Sequence, residues 1–248
     1  MIQLNADLAE SFGGYQCDDA AIMPYLDRAN IACGFHAGSP KTILSTLKLA
    51  KKHQVIVGAH PGYADLVNFG RISVPDPQPQ LVADLLYQVS AVAGIAKAIN
   101  HPIHYIKAHG ALYHDIDLQP TTRAYFIEML SLLPEKWAII LPAHCSIECR
   151  NDFNKLANPL VFEAFADRHY SDQGHLIPRT QPNALLTHEE TRQRIKDFLQ
   201  TGHIFSQHKQ PLQLNFDTLC VHGDTPDAVN IAKSIHQLLK RPHENQST

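Results

Sequence analysis

Residues 29–60 read ANIACGFHAGSPKTILSTLKLAKKHQVIVGAH and hold two short apolar runs on either side of one amphipathic segment. The runs at 29–33 and 55–59 predict buried strands because they are short, apolar and bounded by turn residues. Between them, Ser39 occupies an N-cap position and Pro40 the first helical position, and apolar side chains follow at helical spacing. The stretch therefore predicts a strand, a helix and a second strand, which is the repeating unit of a parallel sheet.

The same alternation continues over the whole chain. Strand patterns lie at 2–7, 29–33, 55–59, 104–108, 138–143, 160–167 and 218–223. Helical patterns lie at 39–53, 80–99, 122–133, 187–202 and 224–240, the fourth with a Thr187/Glu190 capping box. About seven strands in this length favour a distorted (β/α) TIM-like barrel, with an open doubly wound sheet as the second choice. We expect one domain over 1–248, with a frayed tail at 242–248.

Composition indicates a globular protein that acts on small molecules. The chain has 248 residues, of which 44% are hydrophobic and 18% charged, and its net charge is −3 without any block of like charges. This balance argues against a nucleic-acid surface. We expect a cytoplasmic protein without a membrane segment, because the N-terminus does not resemble a signal peptide and no long apolar run is present. The five cysteines are odd in number and lack a CxxC pair, which favours reduced thiols.

Four histidines stand in matching positions at the ends of predicted strands. His36, His60, His109 and His222 each follow a short apolar run and have a glycine within two residues. One such histidine is usually a core or loop residue whose hydrogen bonds are satisfied. The carboxyl ends of parallel strands, however, converge on one rim. Four histidines in these positions therefore favour a functional site. Further polar residues fall at the same predicted rim: Asn5, Asp7, Glu10, Lys107, Tyr113, Glu163, Asp167, Arg168 and Asp224.

Two kinds of chemistry fit such a rim. Metal-assisted hydrolysis is one, with Asp7, His36 and His60 as candidate ligands, although no HExxH motif fixes a ligand set. Metal-free acid–base attack on an amide or lactam is the other, with Asp or His moving protons and Lys107 or backbone N–H groups holding an oxyanion. The residues alone leave both open. A GxxxxGK[ST] phosphate loop and a GxSxG elbow are both absent from the sequence.

Six segments together resemble the signature blocks of the LamB/YcsF family. They are LNADLAESFG (4–13), ANIACGFHAGSP (29–40), GAHPGYADLVNFGR (58–71), IKAHGALY (106–113), FADRHYSDQGHLIPRTQPNALL (165–186) and CVHGDTP (220–226). The resemblance implies a barrel related to glycoside hydrolases and polysaccharide deacetylases. It also implies ATP-dependent opening of 5-oxoproline to L-glutamate together with two further subunits, B and C. The first block departs from the family at Ala9, where glycine is usual, and we expect strain there if that position needs a positive φ.

Given this resemblance, we expect one pocket at the carboxyl ends of the strands. The expected catalytic residues are Asp7, His36, His60, His109 and His222, with Asp7 as the base for an attacking water. The expected substrate-binding residues are Lys107, Arg71, Asp167, Arg168, Arg179 and Asp224, with Lys107 or Arg179 on the substrate carboxylate. ATP would be a co-substrate handled wholly or partly by the partner subunits, and a divalent metal stays possible. The alternatives are a metal-dependent, deacetylase-like hydrolase of carbohydrate amides and a non-catalytic subunit that binds a small acid.

Overall fold

Seven parallel strands close into a barrel in the computed structural model, which describes residues 2–12, 17–179, 181–222 and 227–240. Two further short strands lie outside the barrel. In chain order the described strands are β1 Gln3–Leu8, β2 Arg28–Ala32, β3 Ile56–His60, β4 Tyr105–Lys107, β5 Ala138–Pro142, β6 Leu160–Phe165, β7 Ile204–Phe205, β8 Pro211–Leu212 and β9 Thr218–His222. The barrel order is β1 to β6 and then β9, which pairs with β1 and so closes the sheet. The predicted barrel is thus confirmed, and the open sheet is excluded.

Helices connect the strands and cover the outside of the barrel. They are α1 Asp19–Ile22, α2 Pro40–His53, α3 Gln80–Ala98, α4 Gly110–Leu118, α5 Pro120–Leu132, α6 Ile147–Asn154, α7 His188–Thr201 and α8 Ala228–Lys240. The Ser39 side chain accepts from the Thr42 N–H and begins α2 as predicted. The Thr187/Glu190 capping box is also present at the start of α7, and Gly202 ends that helix with φ +75°.

Several features departed from the expected pattern. The helical pattern at 122–133 begins two residues after the start of α5 at Pro120. No helical pattern in the sequence predicted α4 or α6. The two-residue strands β7 and β8 form a small antiparallel pair outside the barrel, which periodicity over such short segments could not indicate. The cysteines, in contrast, match the expectation, since all five are free thiols. The expected tail at 242–248 and the candidate Asp224 lie outside the described residues.

Helix α3 is long and apolar enough to cross a membrane by length and composition alone. In this fold it packs against β3 and α5, and the side chains of Leu85, Val89 and Val92 are completely buried there. Such a buried apolar stripe is what a barrel helix needs, so the fold accounts for its composition. The cytoplasmic location stays a prediction.

The interior of the barrel is polar rather than aliphatic. Asn5 Nδ2 donates to Glu163 Oε1 over 2.9 Å and to Thr218 Oγ1 over 2.8 Å. Asn30 Nδ2 donates to Asn5 Oδ1 over 2.7 Å, and Tyr105 Oη donates to Asn30 Oδ1 over 2.7 Å. These five buried residues, here called the interior network, satisfy one another across the barrel, as buried polar groups must.

Gly58 makes room for the largest member of the interior network. A Cβ atom placed on Gly58 would lie 2.3 Å from two ring carbons of Tyr105, on the neighbouring strand β4. No side chain can occupy that space without moving the tyrosine ring. The glycine in VIVGAH therefore serves packing inside the barrel.

Candidate functional site

The ends of β1 to β4 bring the predicted residues Asp7, His36, His60 and His109 together at one side of the barrel rim. Asp7 and His60 lie on β1 and β3, and His36 and His109 lie just after β2 and β4. The rings of His36 and His109 are stacked, with centroids 3.7 Å apart and planes 4° from parallel. The His60 ring meets the His109 ring edge-on at 4.9 Å.

Lys107 links this group to the interior network. Its Nζ lies 2.9 Å from Asp7 Oδ1 and 3.1 Å from Glu163 Oε2, and the three side chains are almost fully buried. It also lies 3.2 Å from Cys220 Sγ. The predicted substrate-binding lysine is therefore already paired with two carboxylates of the protein.

The charges in this group determine the pKa values of its members. Burial raises the pKa of Asp7, but His60 and Lys107 outweigh it and hold the pKa well below its ordinary value. Burial lowers the pKa of Lys107, but the neighbouring Asp7 and Glu163 carboxylates raise it well above its ordinary value. Burial raises the pKa of Glu163 in spite of Lys107. Asp7 and Lys107 are consequently both charged at neutral pH.

Two backbone carbonyls determine which nitrogens of His60 and His109 carry protons. His60 Nδ1 lies 2.8 Å from the Lys107 carbonyl, and His109 Nε2 lies 2.8 Å from the Phe69 carbonyl. Since a carbonyl only accepts, each of these nitrogens carries a hydrogen. The remaining nitrogens, His60 Nε2 and His109 Nδ1, face each other at 3.0 Å. Burial also holds the pKa of His109 well below its ordinary value.

Glu10 completes the histidine group, although no role was predicted for it beyond a place at the rim. Its Oε1 lies 3.5 Å from His36 Nε2 and 3.4 Å from His109 Nδ1. One donor atom from each of Glu10, His36, His60 and His109 lies within 4.8 Å of all the others, and all four residues are buried. We call these four residues the rim cluster. Three imidazoles and one carboxylate are a donor set that can hold a metal ion.

The remaining predicted histidine belongs to the opposite side of the rim. His222 Nδ1 lies 3.0 Å from Asp167 Oδ1, and its backbone N–H donates to Asp167 Oδ2 over 3.0 Å. The imidazole also stacks on the Phe165 ring. Burial raises the pKa of Asp167, but His222 outweighs it and the pKa falls below its ordinary value. Asp167 therefore fixes the orientation of His222 as an ionised carboxylate.

The three predicted arginines lie in different environments. Arg168 is buried, and its guanidinium donates to the backbone carbonyls of Ile177 at 2.5 Å and Ala184 at 3.4 Å. It thereby holds the loop between β6 and α7. Arg179 is close enough to Asp167 to lower the pKa of that carboxyl. Arg71 is exposed and lies over the Phe69 ring at 4.7 Å.

Several buried polar side chains were given no role in the site by the sequence, although Asn5, Glu10, Tyr113 and Glu163 were expected at the rim. Besides Glu10 and the interior network they include Tyr113, whose hydroxyl donates to Glu163 Oε2 over 3.2 Å, and Cys220. A signal for them exists, because Gln3, Asn5 and Asp7 alternate with apolar residues along β1. Strict alternation puts the polar residues on one face, and in a barrel covered by helices that face is the interior.

Ala9 is a left-handed residue at the rim. Its φ is +61°, and it is completely buried directly before Glu10. The condition under which strain was expected at this position, a positive φ, is therefore met. A left-handed conformation costs a residue with a Cβ about 1–2 kcal/mol.

Comparison with known proteins gives one family for nearly the whole chain. The LamB/YcsF family matches residues 2–247. A protein of Vibrio campbellii that is named as the A subunit of 5-oxoprolinase is 39% identical over 242 residues, which cover 96% of this chain and 95% of that protein. A protein of Nitrobacter winogradskyi with the same name is 38% identical over 242 residues, covering 96% and 94%. These names describe one subunit of a larger enzyme.

Solved structures support the same relationship. The crystal structure of the lactam utilization protein from Thermus thermophilus superposes with a TM-score of 0.86 at 34% identity and covers 96% of each chain. A GH113 β-1,4-mannanase superposes with a TM-score of 0.53 at 11% identity, covering 96% of this chain and 99% of that one. The second likeness shows only that the two share a barrel fold.

Proposed function

The chain belongs to the LamB/YcsF family, and we propose that it is the catalytic subunit of an ATP-dependent 5-oxoprolinase. This enzyme would convert 5-oxo-L-proline, ATP and two water molecules to L-glutamate, ADP and phosphate. The names of the relatives and of the lactam utilization protein support a lactam as substrate. The observation that carries the proposal is the Asp7 carboxylate, which lies at the end of β1 beside Lys107 and the rim histidines.

The chemistry of the substrate explains the need for ATP. A five-membered lactam is a stable amide that recloses readily, so opening it to completion requires activation. Transfer of a phosphoryl group to the lactam oxygen would make the ring carbon a strong electrophile. Water then attacks that carbon, its proton passes to a base, and the ring C–N bond breaks as the nitrogen is protonated. The resulting γ-carboxyl phosphate would then be hydrolysed by a second water to L-glutamate and phosphate.

Asp7 is our candidate for the base. Its carboxylate is ionised over the physiological range because Lys107 and His60 outweigh its burial. A low pKa makes it a weak base, but a phosphorylated lactam needs little assistance from the base. Asn30 Nδ2 donates to Asp7 Oδ1 over 2.7 Å and so holds the carboxylate in place.

His222 is our candidate for the acid that protonates the leaving nitrogen. At 11% side-chain exposure it is the most accessible of the four predicted histidines, and Asp167 orients it. For the substrate carboxylate we favour Arg179 or Arg71 over Lys107, since the lysine is already paired with Asp7 and Glu163. An arginine also offers a planar pair of donors that matches a carboxylate.

Subunits B and C are the proposed partners, and they would supply all or part of the ATP site. The sequence has no GxxxxGK[ST] loop. We therefore expect the isolated chain to bind ATP weakly. Isothermal titration calorimetry of the chain with ATP checks this, and tight binding would contradict it.

Glutamate release from 5-oxoproline tests the proposed reaction. It is measured with the chain alone, with ATP, and with ATP plus subunits B and C, and we expect turnover only in the last case. Asp7→Asn should lower that turnover by about 10²–10⁴-fold while circular dichroism shows a folded chain. Asp76→Asn removes an exposed carboxylate and is the matched control.

The same assay separates the other functions. Near-normal turnover of Asp7→Asn would remove Asp7 from the mechanism. Acetate release from N-acetylated sugars, without glutamate release, would favour a deacetylase-like hydrolase. If substitutions at Asp7, His222 and Arg179 altered only 5-oxoproline affinity and none changed turnover, the chain would be a binding subunit.

A further inference from the structure

We propose that the rim cluster of Glu10, His36, His60 and His109 binds one divalent transition-metal ion, with zinc as the best fit. The four residues come from the ends of β1 to β4 and from the loops that follow, so one side of the rim supplies every ligand. Their donor atoms lie within 4.8 Å of one another. All four residues are buried, at 0–4% exposure.

The facing nitrogens of His60 and His109 are the first observation. His60 donates its Nδ1–H to the Lys107 carbonyl, and His109 donates its Nε2–H to the Phe69 carbonyl. In the neutral rings this leaves a lone pair on His60 Nε2 and another on His109 Nδ1, only 3.0 Å apart. Two lone pairs directed at each other repel, so a positive species belongs between them.

Three separations within the rim cluster approach those of ligands around one ion, and the stacked rings of His36 and His109 would tilt apart to direct both of their lone pairs at it. Nitrogen ligands about 2.0–2.1 Å from a tetrahedral zinc lie about 3.3 Å from one another. The distances from Glu10 Oε1 to His36 Nε2 and to His109 Nδ1 are 3.5 Å and 3.4 Å. These separations are long for charge-assisted hydrogen bonds but close to those expected between two ligands of one ion.

His36 is the second, independent observation. It is completely buried, and within the described residues neither ring nitrogen has a hydrogen-bond partner. Its Nδ1 is turned to the backbone of Gly62, where an added Cβ would lie 2.9 Å away, so Nε2 faces Glu10. Buried polar atoms are nearly always satisfied, and a metal ion would satisfy this one.

The donor set indicates which ion. Three imidazoles with one carboxylate suit zinc and its first-row neighbours, whereas calcium and magnesium take mainly oxygen ligands. The backbone carbonyls on His60 and His109 are also the outer hydrogen-bond partners that metal-bound histidines usually have. Asp7 Oδ2 lies 3.4 Å from His60 Nε2, so the ion would adjoin the proposed active site. The proposal does not depend on the identity of the substrate.

Metal content and cobalt spectroscopy test the proposal. The full-length chain is stripped with a chelator, titrated with Zn²⁺ or Co²⁺, desalted and measured by elemental analysis. We expect one ion per chain, visible cobalt bands of a four- or five-coordinate site, and a melting temperature that rises with zinc concentration. None of these measurements requires activity.

Substitutions in the cluster locate the site. Glu10→Gln and His36→Gln should each weaken zinc binding by more than about 100-fold, since losing even an outer partner costs 10–100-fold. His175→Gln, an exposed histidine that faces His144 instead, should bind zinc like the wild type. The proposal is wrong if the folded wild-type chain binds no zinc or cobalt, because His60 and His109 would then share a proton. It is equally wrong if zinc binding survives both substitutions.

Discussion

The backbone at Gly38 controls the position of Glu10. Gly38 has φ +85°, and a Cβ there would lie 2.5 Å from the carbonyl oxygen of Ala9, the residue before Glu10. Any side chain at 38 must push that carbonyl, and with it Glu10. The loop after β2 and the end of β1 therefore fit together only through a glycine.

Gly38→Ala should lower the free energy of unfolding by about 3 kcal/mol. About 1 kcal/mol comes from the positive φ, and the rest comes from the collision with the Ala9 carbonyl. Gly34→Ala is the matched control, because Gly34 has φ +88° but open space around its Cβ position. It should cost only about 1 kcal/mol. Urea unfolding measures both, and equal losses would show that the collision is relieved at no cost.

A residue of the site was predictable from the sequence when its position relative to its own strand was enough to place it. A histidine or aspartate that follows an apolar run is predicted to lie at the end of a strand. The structure brings four such residues together: His36, His60, His109 and Asp7. Sequence could not show which side chains meet across the barrel, because that depends on the circumference of the closed sheet. Glu10 and the interior network were left without roles for this reason. The catalytic and binding roles stay predictions.

The beginning of α7 depends on a reciprocal cap. Thr187 Oγ1 accepts from the Glu190 N–H, and the Glu190 carboxylate accepts from the Thr187 N–H over 2.8 Å. Thr187→Ala should lower the free energy of unfolding by about 1–2 kcal/mol. Gln200→Ala, at an exposed position near the end of the same helix, should change it by less than about 0.5 kcal/mol. Thermal or urea unfolding compares the two, and a similar loss in both would argue against the cap.

Helices with a clear start signal followed by a long apolar stripe, or with such a stripe alone as in α3, were the ones that sequence predicted. Helix α2 has Ser39 and Pro40 at its start, and α7 has its capping box, so their N-termini matched the structure closely. Helix α4 begins at Gly110 without a side-chain cap. Helix α6 is capped by Ser146, but it is short and largely polar. Neither has a pattern that stands out locally. Tertiary packing, including the burial of Cys149 and Phe153, holds α6 in place.

The whole molecule should become less stable as the pH falls from about 6.5 to 4. Burial lowers the pKa of both His114 and His144 to about 4. In that window the unfolded chain takes up protons at these positions and the folded chain does not, so acid favours unfolding. Above pH 6.5 both states are neutral at these histidines and the effect disappears.

His144→Gln should reduce this pH dependence. We expect each of the two histidines to contribute up to about 3 kcal/mol of lost stability between pH 6.5 and 4. The variant should therefore show a shallower fall in the free energy of unfolding, measured by urea titration at several pH values. An unchanged slope would mean that His144 protonates freely in the folded state.

Closure of the barrel is a property of the molecule that no local segment contains. The sequence predicted seven strands, and that number is compatible with an open sheet as well as a barrel. The deciding contact is the pairing of β1 with β9, which lie more than two hundred residues apart. Strand count and the family resemblance together favoured the barrel, and the structure confirms it.

The fit of Tyr105 into the space left by Gly58 has a consequence for how this protein can evolve. The ring atoms that exclude a Cβ at position 58 belong to a residue 47 positions further along the chain. A mutation that enlarges position 58 is therefore tolerated only after position 105 has become smaller. The two positions share one volume and must change in a fixed order, so the glycine persists for as long as the tyrosine does.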